Sequence, residues 1–307
     1  MTLLGACALT GLALTGLAAC GRPDGSFSDD RAPDDSDAGD DASETIDPRL
    51  AQQQGTLQWA VSGAWRNAVD KARDKYQHPI ETLQFFEVDP KATVVDMWPG
   101  AGYMTEVLAP YLNAGKGEYV AALIAPRPGD QAIQALNDAY RKHFDADKKL
   151  YGDITYSQFG ADTGPLVPAG TADCVLMITV IQDWMASGVV EKAFADAFAA
   201  LKPGGVLGVE QHRADIGNVQ DPAATNGYVQ EPFVRQLAAE AGFAFVAASE
   251  INANPKDDKD HPFGVWTLPP QRLTAPRGQP PNPDFDGTLY ESIGESDRMT
   301  LKFRKPS

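Results

Sequence analysis

The chain has 307 residues, of which 43% are hydrophobic and 22% charged, which is typical of a globular protein with a buried core. Its formal net charge of −16 argues against a nucleic-acid partner and against electrostatic docking on anionic lipid. The only cysteines are Cys7, Cys20 and Cys174, so a domain that follows residue 20 has one thiol and no internal disulfide. The length fits one large domain with insertions, or two domains.

The first 20 residues form an uncharged apolar run whose length is typical of the hydrophobic region of a secretory signal. Arg22 follows directly, without a further apolar stretch, which disfavours a membrane-spanning helix. The run ends in LAAC, which resembles the lipobox of bacterial lipoproteins. This resemblance implies that residues 1–19 are a signal peptide and that Cys20 is lipidated. The mature protein would then lie on the periplasmic side of the bacterial cell envelope, attached to the membrane by its lipid anchor alone. A simple secretory signal and an N-terminal anchor are the alternatives.

Residues 20–48 are rich in Asp, Ser, Gly and Pro, and they carry ten acidic residues against two arginines. A segment with so few apolar residues and so much like charge cannot form a core. It predicts an acidic, disordered tether between the lipid anchor and a single folded domain that covers residues 49–307.

Residues 48–86 have a helical pattern that breaks at His78-Pro79 and then restarts. Charged residues of this segment, among them Arg66, Arg73 and Glu81, come just before the first predicted strand. We therefore expect an N-terminal helical segment that folds over the ligand edge of the domain. A solvated helix face is the alternative explanation for these charges.

The sequence TVVDMWPGAGYMTEVLAPYL, at residues 93–112, is the most informative stretch of the chain. Its β-branched start, which ends at Asp96, predicts a short buried strand, and Gly100 and Gly102 predict a tight turn. A helical pattern begins at Thr105. Strand, glycine turn and helix are the first unit of a doubly wound α/β sheet. Its glycines let a ligand approach the backbone, and Asp96 can accept hydrogen bonds from hydroxyl or ammonium groups.

The spacing Asp96-x-x-x-Gly100-x-Gly102 resembles the first motif of class I S-adenosylmethionine (SAM)-dependent methyltransferases. Trp98 stands where that family usually has its first glycine. A dinucleotide-binding fingerprint would need a further glycine at the position of Thr105, which disfavours NAD. The resemblance implies that Asp96, Trp98, Gly100 and Gly102 contact SAM. An ordinary strand–turn–helix unit is the alternative.

The alternation of strands and helices continues after this motif, with strands predicted at 117–125 and 154–159 and a helix at 130–143. In the methyltransferases, the second strand usually ends in an acid that binds the ribose hydroxyls. Here the strand ends in apolar residues, with Arg127 next. The family also often has an acid after the third strand that meets the adenine amine, and Asp162 is the candidate for that contact.

A fourth strand is predicted to begin at Thr171 and to run into a loop that ends at Trp184. Asp183 in this loop would lie at the ligand edge of the sheet, so it is a further candidate for cofactor binding. A helix at 189–201 and the sequence LKPGG then lead into a fifth strand, a methyltransferase-like feature in which Pro203 stops the helix.

Methyl transfer from a sulfonium is an in-line displacement, and it needs a base only if the acceptor carries a proton. His212 at the end of the fifth strand is the best-placed base, with Glu210 and Arg213 beside it as further catalytic candidates. A structural histidine is the alternative. His261 and Asp260 of a later segment could line the same cleft. The histidines have no recognisable metal-ligand spacing, so no metal is predicted.

The rest of the chain predicts a helix at 231–241, a sixth strand at 243–249 and a last strand at 299–303, which we expect to be antiparallel. Residues 250–296 form a long insertion rich in Pro, Gly and Asp. The fold class is therefore α/β, with a doubly wound, mostly parallel, seven-stranded sheet. This is the Rossmann-like class I methyltransferase fold, with an N-terminal helical segment and a long insertion before the last strand.

Four segments, spread over residues 55–305, resemble an uncharacterised family of exported, predicted class I methyltransferases. They are WRNAVDKARDKYQHPIETLQFF, WPGAGYMTEVLAPYL, LKPGGVLGVEQHRA and GESDRMTLKFRKP. The resemblance implies SAM as the cofactor and a small molecule or an envelope component as the methyl acceptor. A non-catalytic, ligand-binding lipoprotein that retains the fold is the alternative.

Overall fold

The computed structural model describes residue 49 and residues 52–307. The predicted signal peptide, the lipidation site Cys20 and the acidic tether lie outside the described residues. Within them, no helix has both the length and the apolar character needed to cross a bilayer.

One seven-stranded sheet, in the order β3-β2-β1-β4-β5-β8-β6, forms the centre of the fold. Neighbouring strands are parallel, except that β8 is antiparallel to both β5 and β6. The strands are β1 (Thr93–Met97), β2 (Glu118–Ile124), β3 (Thr155–Phe159), β4 (Ala172–Ile178), β5 (Leu201–His212), β6 (Ala244–Ser249), β7 (Pro262–Val265) and β8 (Arg298–Arg304). The predicted mostly parallel, seven-stranded sheet with an antiparallel last strand is confirmed. The insertion contributes β7, which is not one of the seven strands.

Helices cover both faces of the sheet. They are α1 (Leu57–Ser62), α2 (Ala68–Gln77), α3 (Pro79–Phe85), α4 (Thr105–Gly115), α5 (Gln131–Asp145), α6 (Lys148–Tyr151), α7 (Ile181–Ser187), α8 (Val190–Ala200), α9 (Glu231–Glu240) and α10 (Thr288–Ile293). Successive side chains of a strand point to opposite faces, so Val94 joins the core formed with α1 and α3 to α5, whereas Val95 joins the core formed with α7 to α9. This division is the reason for the long apolar runs in the central strands.

The N-terminal helical segment breaks where the sequence predicts. His78 adopts a left-handed conformation between α2 and α3, and Pro79 is the first residue of α3. The segment packs on the turn that follows β1. Trp65 Nε1 donates to Glu106 O at 2.8 Å, and the Arg73 guanidinium lies 4.9 Å from the Tyr103 ring centroid. These helices therefore pack on the start of α4, and the expectation that they fold over the ligand edge stays a prediction.

The segment after β4 differs from the prediction. The predicted loop after β4 is the helix α7, so Asp183 lies in a first helical turn. The reason is the spacing of Ile181, Trp184 and Met185, which puts three buried apolar side chains on one helical face. Gly188, in a left-handed conformation, ends the helix.

A buried charge network ties β8 to β5 and to α2. Arg298 is 2% exposed, and its Nε lies 2.8 Å from Glu210 Oε1. Its Nη1 lies 3.0 Å from Glu295 Oε2, and Arg73 Nε donates to the other oxygen of Glu295 at 2.7 Å. The end of the insertion and the N-terminal helices are thus joined to the sheet through Arg298.

Replacing Arg298 with Met should lower the free energy of unfolding by about 3–5 kcal/mol, because two buried carboxylates would lose their shared cation. The matched control is Arg272→Met, which removes an exposed pair with Glu291 and should cost about 0–1 kcal/mol. Urea denaturation at pH 8 measures both variants. Equal losses in the two would contradict the proposed weight of the buried network.

Candidate functional site: the crevice after strand β1

The crevice lies at the carboxyl ends of β1 and β4, where the chain connections leave toward opposite sides of the sheet. Each of these two strands is followed by a non-glycine residue in the left-handed region, namely Trp98 with φ +57° and Thr179 with φ +51°. Such conformations cost on the order of 1–3 kcal/mol each, and they cluster at functional sites. Both residues are only partly buried. The geometry therefore marks this edge of the sheet as the candidate site.

Asp96, near the end of β1, is 2% exposed. Its Oδ2 accepts a hydrogen bond from the Tyr119 hydroxyl at 2.8 Å. That hydroxyl lies 2.9 Å from Thr105 Oγ1, which lies 2.6 Å from the Tyr140 hydroxyl. Among residues 52–307 no cation forms an ion pair with Asp96, and burial raises the pKa of this carboxyl to about 6. A buried carboxylate without a cation is unfavourable for folding, so it is a functional candidate.

The raised pKa of Asp96 should make the folding stability of the protein depend on pH. The folded protein binds this proton more tightly than the unfolded chain, so the contribution of Asp96 to stability is complete at low pH and is lost as the pH rises from about 4 through about 6. The loss is about 3 kcal/mol above that window. The variant Asp96→Asn cannot ionise, and its stability relative to wild type should therefore rise by about 2–2.5 kcal/mol between pH 4 and pH 7, since part of the loss has already occurred at pH 4.

Chemical denaturation at the two pH values measures this difference. Asp153→Asn is the matched control, because the Asp153 side chain is 90% exposed and should show no such rise. A relative stability of Asp96→Asn that stays constant from pH 4 to pH 7 would contradict the assignment.

The two glycines of the turn have different roles. Gly102 has φ +100°, and a Cβ at this position would lie 2.4 Å from the Phe144 ring. Gly102 is therefore required by the packing of α5 against the turn. Gly100 has φ +59°, and among the described residues no atom lies within 4 Å of the position of a Cβ. Gly100 is thus the glycine that faces open space at which a ligand could approach the backbone.

Trp98 and Asn137 cover the ends of the neighbouring strands. Trp98 Nε1 donates to the carbonyl of Phe159, the last residue of β3, at 3.0 Å. Asn137 Nδ2 donates to the carbonyl of Ile124, the last residue of β2, at 2.8 Å. The cavity between the turn, the end of β2 and α5 measures about 10 Å³. This is room for about one water molecule.

The other two acidic candidates for cofactor binding, Asp162 and Asp183, form no hydrogen bond with Asp96 among the described residues. Asp162 is exposed in the loop after β3, and within the described residues it has no side-chain hydrogen bond. Asp183 on α7 lies 3.9 Å from Arg277 of the insertion, and burial raises its pKa. The structure therefore associates Asp183 with the insertion, through Arg277.

The three catalytic candidates lie together at the end of β5. Glu210 is held by Arg298, whereas Arg213 donates to Asp297 at 2.8 and 3.0 Å and to Glu250 at 2.8 and 2.9 Å. These contacts give both residues a structural role.

His212 Nδ1 lies 2.6 Å from Ser296 Oγ. Burial, and next the charge of Arg298, lower the pKa of His212 to about 3. General-base catalysis favours a pKa near the working pH, so this ring is a weak base.

His261 also has a structural partner. Its Nε2 lies 2.8 Å from Asp257 Oδ1, and the same carboxylate accepts from the Tyr228 hydroxyl at 3.0 Å and from the Asp297 amide at 2.7 Å. Asp257, Asp258 and His261 are near enough for one ion, but the hydrogen bonds to Asp257 already use both of its oxygens. This group fastens the insertion to the start of β8.

An open groove of about 580 Å³ lies on the outer edge strand β3, beside Arg141, Tyr156 and Ser157. The groove contains none of the predicted site residues. We place the candidate site at the smaller crevice, because the buried carboxylate, the strained backbone and the reversal of the sheet meet there.

Three residues of the crevice were missed by the sequence analysis, namely Tyr119, Tyr140 and Asn137. The sequence contains a signal for Tyr119. It alternates along β2 with Ala121 and Leu123, so the three side chains lie on the same face of the strand. In the sheet, β2 lies beside β1 and Tyr119 lies opposite Val94. The sequence alone does not determine this register.

No family model matches the chain, and no curated protein matches it. Solved structures with a similar arrangement include the [4+2]-cyclase SpnF, with 17% identity, a TM-score of 0.47 and coverage of 80% of this chain and 83% of that one. A SAM-dependent methyltransferase from Aquifex aeolicus has 16% identity, a TM-score of 0.44 and coverage of 59% and 87%.

Human N-acetylserotonin methyltransferase, in complex with SAM, has 14% identity and a TM-score of 0.46, and the match covers 82% of this chain and 56% of that one. At such identities the likeness concerns the fold alone.

Proposed function

We propose that the protein binds S-adenosylmethionine at the turn after β1 and transfers its methyl group to a small molecule or an envelope component. The observation that carries this proposal is Asp96, a buried carboxylate without a cation at the point where the sheet reverses. When bound, SAM supplies an electrophilic methyl group. Asp96 would accept hydrogen bonds from hydroxyl or ammonium groups of the ligand, and Gly100 would let the ligand approach the backbone.

The residues fit this ligand in part. Asp96 and the open space at Gly100 favour it, whereas the ends of β2 and β3 are covered by the chain's own side chains. The low basicity of His212 favours an acceptor that does not require deprotonation, such as a sulfur or nitrogen with a free lone pair. Positioning of donor and acceptor would then be the main contribution of the protein.

A non-catalytic, ligand-binding protein is the second candidate. The weak base His212 and the structural partners of Glu210 and Arg213 favour it, because they leave no strong acid–base group at the end of β5. Incubation with SAM labelled in its methyl group, together with an envelope extract, separates the two functions. Label in a product supports the enzyme, and binding without transfer supports the second candidate.

The binding step can be tested by calorimetric titration of the full chain with S-adenosylhomocysteine. Asp96→Ala should weaken binding by on the order of 1.5–3 kcal/mol, the scale of a hydrogen bond to a charged group. Asp153→Asn, which changes an exposed acid, should bind as the wild type does. Unchanged affinity in a folded Asp96→Ala protein would show that Asp96 does not contact the ligand.

We also propose that the protein is a lipoprotein of the bacterial cell envelope, anchored through Cys20 on the periplasmic side. The lipobox-like LAAC sequence and the acidic segment after it support this proposal. A segment of that composition would hold the folded domain away from the membrane.

The variant Cys20→Ser should remove the lipid, because the thiol is the attachment point. Metabolic labelling with a fatty acid, followed by fractionation, measures the effect, and Cys174→Ser is the control because Cys174 is a buried core residue. Fatty acid still present on Cys20→Ser would refute the anchor.

A further inference from the structure

We propose that Trp98 controls access of the nucleoside part of the ligand to the crevice. Its indole would have to leave the Phe159 carbonyl before a purine nucleoside can lie across the ends of β2 and β3. This inference rests on the proposed function, since it names the residue that decides which ligands the proposed SAM site accepts.

The backbone of Trp98 has an unusual conformation for a large residue. Trp98 has φ +57°, a conformation that a bulky residue adopts rarely and that glycine adopts without penalty. The turn therefore has a shape suited to glycine, but it carries the largest side chain. Such a residue persists only when its surroundings hold it in place.

One hydrogen bond and two ring contacts hold the Trp98 indole in place. Its Nε1 donates to Phe159 O at 3.0 Å, and the ring lies 6.1 Å from the Phe159 ring and 5.6 Å from the Trp184 ring, measured between centroids. These contacts carry the side chain from the end of β1 past β2 to the end of β3, because β2 lies between the two strands. The indole thus lies across the edge at which a ligand of this sheet would enter.

The cavity beside Trp98 is too small for a ligand. The cavity beside Trp98 measures about 10 Å³, whereas sites for small molecules measure about 300–1,000 Å³. Trp98 is partly exposed, in contrast to Trp184, which is fully buried behind it. An outward rotation of Trp98 therefore meets solvent, and it is the movement that opens the crevice with least disturbance of the core.

The neighbouring residue Trp184 carries a buried hydrogen-bond donor. Among the described residues, Trp184 Nε1 is buried and has no hydrogen-bond partner. Native proteins rarely leave a buried donor unpaired. The ring of Trp184 packs edge-on against Trp98, with 5.6 Å between the ring centroids. Departure of Trp98 would uncover this ring, which is fully buried in the closed arrangement.

The test is a titration of the full chain with S-adenosylhomocysteine, using Trp98→Gly, Trp98→Phe and the control Trp59→Phe. Trp59, on α1, packs against Trp65, and among the described residues its ring has no aromatic contact with Trp98. We expect Trp98→Gly to bind at least tenfold more tightly than wild type, because the side chain that must move is absent. Trp98→Phe, which loses the bond to Phe159 but keeps a ring, should lie in between, and Trp59→Phe should match wild type.

The outcomes separate this inference from the proposed function. Binding by Trp98→Gly but not by wild type would support the gate and overturn the proposed function of the natural chain. A gain of less than threefold in a folded Trp98→Gly protein would overturn the gate and leave the proposed function standing. Absence of binding in both proteins at millimolar ligand would overturn both.

Fluorescence keeps the inference testable if Trp98→Gly does not fold. Movement of Trp98 into solvent should shift the emission of the wild-type protein to longer wavelength when S-adenosylhomocysteine is added. The shift should fall by more than half in Trp98→Phe and should persist in Trp59→Phe. An equal shift in wild type and in Trp98→Phe would overturn the gate.

Discussion

The site depends on one constraint: β1 is buried on both faces, between β2 and β4 in the middle of the sheet. A polar side chain near the end of such a strand cannot reach solvent sideways, so it must find its partners within the protein. Asp96 is in this position, and its partner is the hydroxyl of Tyr119 on the neighbouring strand. The carboxylate, the strained turn and the packing of α5 against Gly102 all follow from the need to end a fully buried strand.

A second group of contacts determines what lies above β5. The insertion is joined to the sheet region at three places, through Glu295 to Arg298, through Glu250 to Arg213 and through Asp257 to the Asp297 amide. Arg298 also pairs with Glu210, and Arg213 with Asp297. Glu210 and Arg213, on either side of the position of His212 in the sequence, are therefore both held in ion pairs. These contacts leave Asp96, at the crevice after β1, as a buried carboxylate that forms no ion pair within the region that the structure describes.

Much of the fold could be predicted from the sequence, because its signals are local. The β-branched run before Asp96, the glycine turn and the alternation of strands and helices determine a doubly wound sheet. The helix α7 was missed because it is short and follows a strand directly, so its residues were interpreted as the loop that ends this strand. The pairing of Arg298 with Glu210 joins residues far apart in the sequence, and only the register of β8 against β5 brings them together.

The residues of the candidate site could be predicted from the sequence, but the orientation, packing and basicity of their side chains could not. Asp96, Gly100 and Trp98 stand out by type and spacing, and the absence of an acid after the second strand is visible in the sequence. That the Trp98 side chain turns toward β3, and that Gly102 serves the packing of Phe144, are consequences of tertiary contacts. The basicity of His212 likewise depends on burial and on Arg298, neither of which is local in sequence.

The chain of hydroxyls behind Asp96 has a directional consequence. Each hydroxyl has a single proton to give, and an ionised Asp96 can only accept. Tyr119 must then donate to Asp96, Thr105 to Tyr119 and Tyr140 to Thr105, so one charge fixes the orientation of all three groups. A neutral Asp96 carries a proton of its own and permits the opposite orientation. The ionisation of one carboxyl therefore sets the polarity of a hydrogen-bonded line that joins β1, β2, α4 and α5.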